Sequence, residues 1–534
     1  MPAVTEPDDV GHDATEASVD AGHGLVVTTH RLASRAGAGV LAAGGNAVDA
    51  AVAANVVVGV VLPDTCGPGG DLFALVHRPG DPVPAALNAS GRAGSGADPE
   101  RLRREGLTAV PFRGPEGITV PGCVDGWEAL LARFGTWTLS ELLAPAIAVA
   151  EGGFEASPEL AASLGATTEL LSGQPSAGVL YPGGQAPAPG ARLRRRRLAE
   201  TLRTLAEHGR SGFYDGAVGA AITEATGGLV TADDLATVQA DWVDPVGTTV
   251  HGWEGWTVPP NSRGYVTLAA GWVAERLGST PGSALRTHHL IEAYRAVSAD
   301  SVDLVADPAR IPRNASDLVS AHRLRPLLDA IDSDAAGSWP PPAPAAGGTT
   351  YLCCRDGAGM GVSLIQSNFH GIGSGLSAGD TGVFLHDRGA GFCLVPGHAN
   401  ELAPGNRPAH TLSPTLWTVG GGLRMLLGTR GGSFQPQILL QLIDLMLGSG
   451  LDPAEAIRRP RWVVDDEEAD RSVVHVESRM GREIVTGLEA RGHVVSTAGP
   501  WEVGWGPVAV ISVDAGAVTG AADPRVSTAA VGVA

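Results

Sequence analysis

The sequence predicts a layered α/β unit in which largely antiparallel sheets pack between helices. Three observations lead there. Helical and strand patterns alternate through the first half of the chain; beyond residue 348, strand pairs joined by short glycine turns dominate; and helical segments flank those strands. At 534 residues the chain is longer than an average domain, but layered units of this kind reach such a size as one body.

In chain order, the first 22 residues are acidic and lack the positive start and apolar run of a secretory signal, so they are expected to form a disordered tail. HRLASRAGAGVLAAGG reads as a helix closed by Gly44 and Gly45, and NAVDAAVAANVVVGVV as a buried helix capped by Asn46. The second is the longest apolar stretch and is too short to span a bilayer. LFALVHR and VPAALNAS, separated by PGDP, form a hairpin pattern. Helical spacing then resumes and continues, with interruptions, to about residue 332. SDAAGSWPPPAPAAGG (333–348) has linker composition and lies inside the unit. Beyond it, TTYLCC pairs with GVSLIQS and TLWTV with LRMLLGT; FQPQILLQLIDLMLGSG, AEAIRRPRW and REIVTGLEARG are helical, and VAVISVD with AVTGAAD makes a last hairpin.

With 44% hydrophobic and 18% charged residues, the composition is that of a soluble globular protein. A net charge of −20 argues against a nucleic-acid partner, which would require clustered cations. The one basic cluster, ARLRRRRLAE (191–200), reads as a solvated helix face. Cys66, Cys123, Cys353, Cys354 and Cys393 are odd in number and contain no CxxC pair, which fits a reducing, cytoplasmic setting and no membrane association. The fifteen histidines include the adjacent His288 and His289 but no HExxH and no Cys/His ligand spacing, so no metal or other cofactor is expected.

Chemistry concentrates at PAAGGTTYLCC. Thr349 follows Gly347 and Gly348 at the point where a loose stretch enters a strand. Glycine before a hydroxyl residue permits the bent conformation in which that hydroxyl reaches the preceding carbonyl. Attack of Thr349 on Gly348, followed by hydrolysis of the ester, would free an α-amine with a pKa of about 7.7–8.0 beside the hydroxyl it must activate. GGTT alone also opens ordinary strands, so its weight rests on the flanking sequence.

That flanking sequence resembles the γ-glutamyltranspeptidase family of N-terminal-nucleophile hydrolases from about residue 24 to the end. The matching pieces, in the family's order, are TTHRLASRAGAGVLAAGGNAVDAAVAAN, PDTCGPGGDLF, NASGRAG, ITVPGCVDGWEALLARFGTWTLSELLAPAIAVAEGGF, HHLIEAYRAVSAD, GGTTY, GNRPAHTLSPTL, GTRGGS and GAADPR. The resemblance implies an αββα sandwich and self-cleavage between Gly348 and Thr349. It also implies a heavy segment (23–348) that stays paired with a light one (349–534), and leaves the Thr28–Thr29 pair as structural. Thr349 falls on the nucleophile. Gly431 and Gly432, between a strand and a helix, fall on the oxyanion hole, and Arg92 on the arginine that clamps the substrate carboxylate. Gln366 and Asn368 match pocket positions, and Thr350 is expected to donate to the nucleophile.

The sequence departs from the family's better-known members at both ends of the glutamate site. Gly391 stands where an acid holds the α-amino group, with Arg388 nearby; His410 and Thr411 replace a Ser-Ser pair; and Arg430 adds charge inside the oxyanion turn. The expected substrate is a small acidic amide, γ-glutamyl or of oxamate or glutaryl type, with water or an amine as acceptor. Two other readings remain: a serine hydrolase using Ser377 of GLSAG, which lacks the strand and helix a nucleophile elbow needs, and an uncleaved scaffold of the same fold.

Overall fold

Alternate residues of the central strands bury against different layers, and this explains the continuous apolar runs. The computed structural model describes residues 15–20, 22–311, 313–340, 347–465, 472–514 and 516–533. One seven-stranded sheet runs in the order Ala529–Val533, Gly24–Thr28, Gly348–Arg355, Gly361–Phe369, Asp71–His77, Ala85–Ala89 and Asp241–Val243. The other runs Thr15–Asp20, Ala517–Ala522, Val508–Asp514, Gly422–Thr429, Thr415–Val419, Trp253–Thr257 and Val246–Val250. Every pairing within both is antiparallel.

Phe73, Leu75, Tyr351, Cys353 and Ile365 of the first sheet meet Leu416, Leu426, Ile511 and Val518 of the second in a core between the sheets. Their neighbours Leu72, Ala74, Leu352, Cys354 and Leu364 point the other way, into a core shared with the helix Ala47–Val61. That helix is buried along its whole length and carries a capping box between Asn46 and Asp49. On the outer face of the second sheet, Trp417, Met425, Leu427 and Val510 pack with the helices Tyr265–Leu277, Ala284–Ser298 and Gln435–Ile443. The result is the αββα sandwich.

Three expectations need correction. Residues 15–20 of the expected tail form an edge strand on Ala517–Ala522, while residues 1–14 and 21 lie outside the described residues. The stretch 241–257, read as helical, supplies the edge strands Asp241–Val243 and Val246–Val250 and, paired next to the latter, Trp253–Thr257. The basic cluster is not wholly a solvated face: Arg195 is buried and donates to the carbonyls of Gly59, Val60 and Gly382.

Of the linker, residues 341–346 lie outside the described residues. The part before them is held down: Ala336 N donates to Arg491 O, and the Glu292 carboxylate accepts from Gly337 N and Trp339 Nε1. His288 donates to the Asp332 carbonyl and hydrogen-bonds His493, while His289 meets Ser279 and Ser333.

Candidate functional site

Thr349 lies at the start of a central strand, buried, on the face that looks between the sheets. The hairpin of Gly348–Arg355 with Gly361–Phe369 pairs Thr349 with Ser367, and the register slips between Gly348 and Thr349. A bulge of this kind re-aims the backbone where regular pairing ends. Opposite Gly348, Phe369 adopts φ 74°, a strained conformation for a side-chain-bearing residue.

Ser367 organises the pair of residues at this bulge. Its hydroxyl donates to the Gly348 carbonyl (2.7 Å) and accepts from Phe369 N (2.8 Å). With that proton committed, the 3.1 Å contact between Thr349 Oγ1 and Ser367 Oγ is one in which Thr349 donates. The carbonyl that self-cleavage would attack is thus polarised by the same hydroxyl that receives a hydrogen bond from the attacking group. A Cβ on Gly348 would lie 3.0 Å from Asp64 O and 3.1 Å from Gly371 O, so the chain is closely enclosed by backbone here.

Gly431 and Gly432 lie beside this point. A Cβ on Gly347 would sit 3.3 Å from Gly432 Cα. Both take positive φ, 122° and 55°, in the turn from Gly422–Thr429 into the short helical turn Gly432–Phe434 and the helix Gln435–Ile443. Arg430 fastens the turn through Nε to Gly506 O (2.7 Å) and Nη2 to Val503 O (3.4 Å).

Arg388 is buried, its guanidinium 3.7 Å from the centre of the Phe369 ring. Among the described residues its hydrogen bonds to side chains are two long ones, Nη2 to Ser367 Oγ and Nη1 to Thr411 Oγ1, both 3.5 Å, and Nε has no partner. Burial pulls its pKa down to about 10. Arg388, Phe369, His410 and Thr411 line a cavity of about 260 Å³ with Phe112, Val305 and Phe392. His410 donates Nε2–H to Asp71 (3.2 Å), and its Nδ1 has no partner among the described residues. Burial and then Arg388 push its pKa down to about 3, so the ring is neutral and Nδ1 is an acceptor. Asp71 also accepts from Gly91 N and Gly122 N and lies 3.5 Å from His386 Nδ1. Burial opposes its charge, but His386 and His410 hold the carboxyl below the ordinary range, and the same contacts raise His386.

Strand alternation separates the other expected residues. Thr350 points to the helix side and bonds Thr65 Oγ1 (3.1 Å), away from Thr349. Gln366 is on that side too, bonded to Asn55, Gly67 O and Cys123. Asn368 donates to Pro63 O at 3.3 Å. The residue facing Thr349 is Ser367, which a count outward from the hairpin turn would have identified. Arg92 does not line the cavity: it pairs with Asp241 (2.8 Å), which Arg407 shares. Gly391 ends a short turn, Arg388–Gly391, on the cavity wall. Ser377 is in a loop, its hydroxyl bonded to Gly379 O (2.9 Å), with no strand-to-helix elbow.

The gamma-glutamyltranspeptidase family model matches residues 33–533. Among curated proteins, the chain is 36% identical to the glutathione hydrolase-like YwrD proenzyme of Bacillus subtilis, over 95% of this chain and 98% of that one. It is 35% identical to the oxamate amidohydrolase proenzyme of Klebsiella pneumoniae, over 96% and 98%. Among solved structures, a cephalosporin acylase from Bacillus halodurans superposes with a TM-score of 0.91 at 31% identity, covering 99% of both chains.

Proposed function

Since the chain belongs to the gamma-glutamyltranspeptidase family, and so is an enzyme acting on amide bonds, we propose that it is a self-processing amidohydrolase whose nucleophile is Thr349. The observation that carries this reading is the set of contacts at the bulge: Thr349 Oγ1 donates to Ser367, Ser367 donates to Gly348 O, and the Gly431–Gly432 turn lies alongside.

In processing, Thr349 Oγ1 attacks the Gly348 carbonyl carbon. The Gly348–Thr349 amide breaks, its nitrogen takes up a proton, and water hydrolyses the ester. A heavy segment ending at Gly348 and a light one beginning at Thr349 result. The freed α-amine then takes the hydroxyl proton when Thr349 attacks a substrate amide, and the N–H groups of the Gly431–Gly432 turn receive the oxyanion. The amine leaves, and water or a second amine resolves the acyl-threonine ester. The substrate is a small amide bearing a carboxylate, which Arg388 receives in place of Arg92. Cytoplasmic location remains the reading of cysteine content, and among the described residues no helix is long and apolar enough to cross a membrane.

Thr349→Ala is expected to leave one full-length band on a denaturing gel and to abolish amide hydrolysis, whereas Ser377→Ala should split and hydrolyse normally. A split Thr349→Ala chain, or loss of activity confined to the serine variant, would reject the assignment. A full-length wild-type band that no incubation splits would favour the scaffold reading.

A further inference from the structure

Two histidines meet a buried carboxylate beneath the stretch 332–339. His288 and Glu292 stand one turn apart on the helix Ala284–Ser298 and so share a face of it. His493, just beyond the helix Arg482–Ala490, brings its Nε2 to 2.8 Å from His288 Nδ1 and 4.0 Å from Glu292 Oε1. One ligand-capable atom of each residue lies within 4.8 Å of the others, and all three residues are buried. His288 and His493 are 205 residues apart, which is why no ligand spacing shows in the sequence.

Outer contacts turn these atoms toward one another. The Asp332 carbonyl only accepts, so His288 carries its proton on Nε2, 2.8 Å away, and presents a lone pair at Nδ1. Glu292 Oε2 accepts from Gly337 N (2.9 Å) and Trp339 Nε1 (2.7 Å), while Oε1 has Arg295 Nη1 at 3.3 Å. A histidine whose second nitrogen donates to a carbonyl, beside a carboxylate fixed by other donors, is the way metal sites orient their ligands. Two imidazole nitrogens and one carboxylate oxygen suit Zn²⁺ and similar divalent ions.

We propose that His288, Glu292 and His493 bind a divalent transition-metal ion, Zn²⁺ by donor set, which fastens the two sides of the proposed cut to each other. His288 and Glu292 precede Gly348 and His493 follows it. On binding, the proton of His493 Nε2 moves to Nδ1, and the ring stays neutral. Bonds of about 2.0–2.2 Å to one ion set ligand atoms about 3.3 Å apart, so the imidazoles part by about 0.5 Å and the carboxylate closes on them. Water completes four-coordination. Arg295 stays close to Glu292 and repels a cation, which holds the affinity to the micromolar range. Because Asp332, Gly337 and Trp339 bond the same side chains, the ion also stiffens the approach to Gly348.

The test is titration of the full chain, made without a histidine tag and stripped by a chelator, with Zn²⁺ by calorimetry and with Co²⁺ by visible absorption. It is read on the purified chain whether cleaved or whole, so its outcome is independent of the assignment of Thr349. One equivalent of Zn²⁺ is expected to bind with a Kd of about 10 μM or tighter. His493→Gln keeps an N–H for His288 Nδ1, and Glu292→Gln keeps an acceptor for Gly337 and Trp339. Each variant, checked by melting temperature in chelator, should weaken Zn²⁺ at least about a hundredfold. Zn²⁺ should also raise the denaturation midpoint of the wild type and leave that of His493→Gln unchanged. No uptake by the wild type at about 1 mM Zn²⁺, or uptake that His493→Gln retains, overturns the proposal and leaves the two histidines a hydrogen-bonded clasp.

Discussion

Asp387, just before the turn Arg388–Gly391, shows how burial sets the chemistry of a single group. Its Oδ1 accepts from His370 N (2.9 Å), Oδ2 has no hydrogen-bond partner among the described residues, and burial pushes the pKa up to about 7 despite Arg388 and Arg113 nearby. A carboxyl raised in the folded state contributes most to stability below its ordinary value near 4. That contribution is lost as pH rises through about 7. Asp387→Asn should therefore raise the melting temperature relative to wild type more at pH 8 than at pH 5; equal differences at both would show that the carboxyl does not titrate in this window. The limits of sequence reading are clearest among such residues. Thr349 is legible because its requirements are local: glycine before it and a strand after it. Arg92 is legible as an arginine past a strand, but Asp241 meets it only through the pairing of Ala85–Ala89 with Asp241–Val243, so its commitment cannot be read from its own neighbourhood. Ser367 lies in the middle ground, since hairpin register alone identifies it.

At the scale of elements, periodicity recovers the long, regular pieces. The helix Ala47–Val61 and the hairpin partners of Gly348–Arg355 and Gly422–Thr429 follow from apolar runs and turns. The strands Val246–Val250 and Trp253–Thr257 escape that pattern because they are short, partly exposed pieces, one at the sheet edge and one beside it, joined by a turn at His251 and Gly252. The Gly431–Gly432 turn is a second test at this scale. A side chain at φ 122° is strained, and it would lie 3.3 Å from Gly504 O. Gly431→Ala is therefore expected to retain the fold, judged by circular dichroism, while kcat falls about 10²–10³-fold, the loss typical of a displaced oxyanion donor. An unchanged kcat would mean that this turn is not the oxyanion site.

In the whole molecule, the position proposed for cleavage opens a strand at the centre of one sheet. Gly348–Arg355, which the proposed cleavage would place in the light segment apart from Gly348, lies between Gly24–Thr28, on the heavy side of that cut, and Gly361–Phe369, and the second sheet also mixes strands from both sides. Separating the segments would break both sheets and the core between them. Cleaved protein should accordingly elute as one species by size exclusion and yield two chains only in denaturant; separation in native buffer would contradict the shared core. A buried charge network surrounds Asp523 and Arg525. Asp523 pairs with Arg461 (2.6 Å) and Arg525 (3.2 Å), and Arg525 reaches Glu477 (2.7 Å). Asp523→Ala leaves two buried cations short of a partner and should cost about 3–5 kcal/mol in a denaturation experiment.

Taken alone, the amino-acid order specified the layers, the helix caps, the hairpins and the threonine behind paired glycines, since each depends on residues adjacent in the chain or at a fixed period. Tertiary structure decided which side of the strand each hydroxyl faces, that Arg92 but not Arg388 forms an ion pair with a carboxylate among the described residues, and how close the Arg388 guanidinium lies to Thr349. Those outcomes depend on register and on burial by segments hundreds of residues away, and no local pattern encodes them.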